Sequence, residues 1–147
     1  MSMDSTAELQ EAITAIERSY EFMLAYAAQG RDFEDSGTSP SIRESLETLA
    51  GALSGIADLV ASHAAQQSRE EGPVFGEFAD VLRRDAARAR AAVMVALSLS
   101  SIGSQVVDNL NASIHLRALL TDVFLIDEAL KAARRTRPNL TPRHGER

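Results

Sequence analysis

Between Arg90 and Asp108 the chain carries no Asp, Glu, Lys or Arg, although these residues make up 24% of its 147 positions. The charge-free segment reads AAVMVALSLSSIGSQVV. Such a segment has to be buried in a core, buried against a partner or placed in a membrane. A spanning helix needs about 20 predominantly apolar residues. This run is shorter and is interrupted by Ser98, Ser100, Ser101, Gly103, Ser104 and Gln105. Small residues at that density suit close helix contact, so burial in protein is expected and a membrane span is not.

The remaining sequence reads as helix. Alanine, leucine and charged helix formers dominate, Val and Ile show no strand-like alternation, and the four prolines sit at boundaries. Helix 1 is predicted over about 6–29, with Ser5 and Glu8 at capping-box spacing and Gly30 as its stop. Its apolar positions are Leu9, Ile13, Ile16, Tyr20, Met23 and Ala27. Helix 2 is predicted over about 40–67, opened by Pro40 and by Ser41 with Glu44. Ile42, Leu46, Leu49, Leu53, Ile56, Val60 and His63 alternate steps of four and three, the pattern of nearly parallel helix packing. Gly51 and Gly55 offer a place for a close neighbour. Helix 3 is predicted over about 73–101, and helix 4, capped by Ser104, over the stretch to about Arg135. A chain of this length predicts one domain. Residues 1–137 therefore read as an all-α domain, an antiparallel four-helix bundle of up-down-up-down topology.

Helix 4 is more apolar than one bundle position requires. A first stripe runs through Val107, Leu110, Ile114, Ala118, Thr121 and Leu125. A second runs through Leu116, Leu119, Val123, Ile126 and Leu130. A surface helix normally shows one apolar face, and in a four-helix bundle no helix is central. The second stripe therefore calls for a partner, expected to be another copy docking through helices 3 and 4. The predicted interface is Val95, Leu99, Leu116, Leu119, Val123, Ile126 and Leu130.

Chemistry is harder to find. There is no cysteine, which removes disulfides, thiolate metal sites and Cys nucleophiles, and agrees with an expected cytoplasmic location. The start of the chain has no basic region and no apolar run, so no secretion signal is expected. No cofactor motif is present, and no metal motif survives inspection. A di-iron bundle repeats Glu-x-x-His, whereas Val60 precedes His63 and Ala112 precedes His115 at that spacing. Asp32 to Gly37 mimics the start of a calcium loop, but its twelfth position is Arg43 rather than Glu. Glu17 and Glu21, one turn apart, read as a solvated face with Tyr20 in the core. A possible pocket between helices gathers Tyr20, Met23, His63, Phe78 and Met94. The acidic loop over 30–40 is the longest connection and a candidate for a protein partner.

The net charge of −6 hides a polarity. Lys131, Arg134, Arg135, Arg137, Arg143 and Arg147 are six of the fifteen basic residues, and they face Glu146 alone after position 130. Residues 138–147 are expected to form a basic, disordered tail. The body lacks a basic stripe, so nucleic acid is not the expected partner. These observations point to a non-enzymatic, self-associating interaction or regulatory protein. The alternatives are a small-molecule binder using the pocket above, and a bundle enzyme using His63 with an acidic partner.

Overall fold

The computed structural model describes residues 5–35, 37 and 40–136. Among them are five helices and no strand: α1 (Ser5–Ala28), α2 (Ile42–Ala65), α3 (Gly72–Leu97), α4 (Ser104–Ala112) and α5 (Ile114–Thr136). No helix among them is long and apolar enough to cross a membrane. The basic tail predicted over 138–147 lies outside the described residues.

Local signals set several boundaries. The Ser41 hydroxyl accepts from the Glu44 N–H at 3.1 Å, and the Glu44 carboxylate accepts from the Ser41 N–H at 3.2 Å, completing the capping box of α2. Gly30 follows α1 at φ +64°, where a side chain would be strained. Two expectations fail. Ser104 is the first helical residue of α4, and Gly103 is its cap. A Cβ on Gly51 or Gly55 would meet nothing within 4 Å, so no neighbour uses them for close approach. Close approaches are found at Gly103, where a Cβ would stand 2.9 Å from the Asp32 carbonyl oxygen, and at Gly72, where it would stand 3.0 Å from that of Ala64.

The predicted fourth helix is two helices. Ser113 interrupts it in an extended conformation, φ −64° and ψ 143°, and its hydroxyl accepts from the Leu116 N–H at 3.1 Å. Ser113 thus serves as a side-chain cap for α5. The break rotates the buried face. α4 buries Val107 and Leu110, from the first stripe; α5 buries Leu116, Leu119, Val123, Ile126 and Leu130, the whole second stripe. At 100° per residue the two sets lie about half a turn apart on a continuous helix. The chain uses the stripes in succession, so the second one is covered by the chain itself rather than by a partner.

Hydrogen bonds between helix ends show the packing order. The Thr6 hydroxyl reaches His63, joining the start of α1 to the end of α2. Arg43, at the start of α2, donates to the Leu97 carbonyl at the end of α3. Gln10 of α1 donates to Asp127 near the end of α5 at 3.3 Å. Each of these helix pairs therefore runs antiparallel. α2 packs between α1 and α3, while α4 leans mainly on α1 and α5 mainly on α3.

The charge-free segment is partly core, at one end of it, while Met94, Val95 and Leu99 within it are exposed. Val93, Ala96, Ile102, Ser104 and Val107 are buried. Its turn is served by charges from elsewhere. Arg43 donates to the carbonyls of Leu97 and Leu99 at 3.0 and 2.8 Å, and Glu34 accepts from the Ile102 N–H at 2.7 Å. Arg43 and Glu34 pair with each other at 2.7 Å. Ser104 accepts from the Arg31 N–H through its hydroxyl, and its own N–H donates to the Arg31 carbonyl, both at 2.8 Å. The tyrosine that enters the core here is Tyr26, not Tyr20. Its hydroxyl donates to the Ile102 carbonyl at 2.5 Å, and burial with the nearby Glu34 carboxylate raises its pKa.

Candidate functional site

The most unusual chemistry lies in the seam between α3 and α5, where Asp85 faces Asp122. Asp122 Oδ2 is buried and has no hydrogen-bond donor. Burial first, and then the hydrogen bond and charge of Asp85, raise the Asp122 pKa from the ordinary 3.8 to about 7. Two ionised carboxylates have no hydrogen to give one another; a proton on one of them closes a hydrogen bond to the other. Asp85 also lies 3.5 Å from Arg88, its neighbour one turn on.

The outer edge of this seam exposes apolar side chains around Arg88. On α3, Val74, Val81, Arg88 and Val95 repeat every seven residues, and the three valines are exposed. On α5, Ile114, Ala118, Thr121 and Leu125 continue the first stripe, and Ile114 and Leu125 are 75% and 58% exposed. Val81 precedes Asp85 by one turn, and Leu125 follows Asp122 by nearly one. In the other direction, Ile114 rises about 12 Å from Asp122 and Val95 about 15 Å from Asp85, at 1.5 Å per residue. The valine row and the first stripe therefore flank one seam. Leu99, 37% exposed, continues this face into the turn.

The predicted interface thus divides. Val95 and Leu99 are at the surface, whereas Leu116, Leu119, Val123, Ile126 and Leu130 are core. The exposed apolar stripe of the last helix is the one assigned to the core from sequence. The reason is the Ser113 break, which reverses which face looks inward.

The residues of the predicted pocket are spread from core to surface. Met23 is fully buried, Tyr20 and Phe78 are half-buried against the core, and Met94 is exposed. His63 lines a different space, a cleft of about 170 Å3 with Thr6, Gln66, Gln67, Glu71, Phe75, Leu130 and Ala133. It is buried and meets Phe75 edge-on, ring centres 5.1 Å apart. His115 is exposed on α5. The 30–40 loop, where described, is tied to the 97–104 turn by the bonds given above; Phe33 projects from it and is 74% exposed.

A second buried carboxylate lies outside the sequence-predicted residues. Asp127 lies in the α1/α5 seam, accepting from Gln10 and pairing with Lys131 at 3.0 Å. Glu17 has a raised pKa through burial first and then the Asp127 charge; Glu21, its expected companion, contributes least. Among the described residues no cluster of His, Asp and Glu is arranged to hold a metal ion. The chain matches no protein-family model, no curated protein and no solved structure.

Proposed function

We propose that this chain is a cytoplasmic, self-associating interaction protein, a four-cornered helical bundle whose last corner is the broken α4–α5 pair. The observation that carries the reading is the outward apolar face of α3 and α5. Val74, Val81 and Val95 stand at heptad spacing, and Ile114, Ala118, Thr121 and Leu125 in four-three-four steps, the patterns by which helices pack nearly parallel. From Val74 to Val95 is about 30 Å, and two adjacent helices span about 20 Å. That area is of the order of the ~800 Å2 each partner buries in a stable interface.

A second copy is the occupant we favour. A two-fold contact requires a patch that contains its own complement. This face carries apolar flanks on either side of an exposed Arg88, whose charge is met within the chain by Asp85 at 3.5 Å. The test separates surface from core. Leu125→Asp and Val95→Asp should each convert an oligomer to a folded monomer in light scattering, with unchanged helical circular dichroism. Leu119→Asp should unfold the chain instead. A wild-type chain that is monomeric at high concentration would refute the proposal.

A second reading rests on the cleft beside His63, where an imidazole, a hydroxyl, two amides and a carboxylate surround an aromatic edge. The space suits a small polar ligand. Fragment binding followed by NMR should shift the His63 ring resonances; fragments that perturb other surfaces only would remove this reading.

A further inference from the structure

The carboxyl pair and the apolar face occupy the same seam, and this connects association to protons. Asp122 lies between core and surface, with Oδ2 buried and without a donor. From α3 it faces Asp85, which is itself beside Arg88. Among the described residues, no charged group of α1, α4 or α5 itself makes a resolved contribution to Asp122. Asp122 is partly exposed, so solvent reaching it along the seam is what remains to solvate a second negative charge. Side chains that flank the outer edge of the seam, Val81 and Leu125, are the ones a docked copy would cover. Removing that water disfavours the doubly charged pair and favours the hydrogen-bonded, singly charged one.

We propose that self-association is proton-linked: where the free chain's pair is still doubly charged, each associating chain takes up as much as one proton from solvent, held between Asp122 and Asp85, and releases it when the α3/α5 face reopens to water. The Arg88 guanidinium beside Asp85 assigns the proton to Asp122. Both carboxyls are acceptors when ionised, so the added proton creates the one hydrogen bond the pair can make. This inference rests on the self-association proposed above and adds its regulation. Because a dimer takes up as many as two protons, affinity can rise by up to about a hundredfold per unit fall in pH where the linkage is steepest.

Sedimentation velocity on the full chain, at constant ionic strength and at about pH 6, 7 and 8, tests it. The dissociation constant should be at least about tenfold lower at the acid end. Asp122→Asn places a permanent donor opposite Asp85, so it should associate with little pH dependence and should do so at the alkaline end. Asp85→Asn, the second variant, removes the like charge and should also flatten the profile; circular dichroism establishes that each is folded. Equal affinity at both ends, or a slope that survives in a folded Asp122→Asn or Asp85→Asn chain, overturns the proton linkage and leaves self-association intact. A wild-type chain that stays monomeric at every pH overturns both proposals.

Discussion

Asp122 and Asp127 are five residues apart on the same helix, in the apolar run LLTDVFLIDEAL, yet they occupy opposite chemical situations. Asp127 enters the α1 seam and finds an amide donor and an ammonium, Gln10 and Lys131. Asp122 enters the α3 seam and finds another carboxylate. A buried carboxylate with donors is a satisfied structural element, whereas one without donors favours its neutral form. Burial alone therefore does not mark the unusual residue; the neighbour across the seam does.

The largest way to break this comparison is pH. The folded-state pKa of Asp122 is raised above its unfolded value, so the folded chain holds a proton that the unfolded chain has released between about 3.8 and about 7. The associated stability is fully present below that window and lost as pH rises through it. The rise from 3.8 to about 7 converts to about 4 kcal/mol; because Asp122 is only partly buried, we expect about half of that. Asp122→Asn should thus stabilise the chain at alkaline pH by about 2 kcal/mol, or about 5 °C in Tm. It should have little effect near pH 4, where the native side chain is already protonated. Thermal unfolding across that range, under conditions where both chains have the same oligomeric state, checks it. An Asp122→Asn chain less stable than wild type at alkaline pH would show that Asp122 has a donor after all.

Asp127→Ala should have the opposite sign. It removes an acceptor from Gln10 and Lys131 inside a buried seam, and we expect a loss of about 1–2 kcal/mol at neutral pH. Urea denaturation at one pH compares the two variants directly. Equal signs for Asp122→Asn and Asp127→Ala would dissolve the distinction between the seams.

The two seams were unequally readable in the sequence. The core stripe of α2, Leu46 through Val60, follows from periodicity because α2 is an unbroken helix, and its capping box follows from Ser41 and Glu44. The α4–α5 junction was missed, although Asn109, Asn111 and Ser113 supply weak helix formers and a good cap within one turn. Reading through Ser113 as helix carries the phase of Val107 and Leu110 into α5 and points its faces the wrong way. The Asp127–Lys131 pair is local, four residues apart, and was open to discovery as an acid inside an apolar run. Asp85 and Asp122 are different. Asp85 sits among Arg83, Arg84 and Arg88 and looks like part of a solvated face. Its meeting with Asp122 depends on which sides of two helices pack together, and no local spacing encodes that.

The smallest effect sharpens the comparison from the satisfied side. Lys131 is exposed, and its raised pKa comes from the hydrogen bond and charge of Asp127. An exposed partner in water adds little to stability, because solvent replaces most of what it gives. Lys131→Met should therefore leave Tm nearly unchanged. It should act instead on Glu17, whose pKa is raised by burial and by Asp127 and lowered by Lys131. Removing the ammonium takes away that lowering influence, so Glu17 should titrate at a higher pH, whereas Asp127→Asn should move it down. Carboxyl-carbon NMR titration of Glu17 in the two variants reads both shifts. Opposite directions would show that Glu17 in the α1 seam responds to a balance between the Asp127 carboxylate and the Lys131 ammonium. Shifts of the same sign would mean that Glu17 responds to repacking rather than to charge.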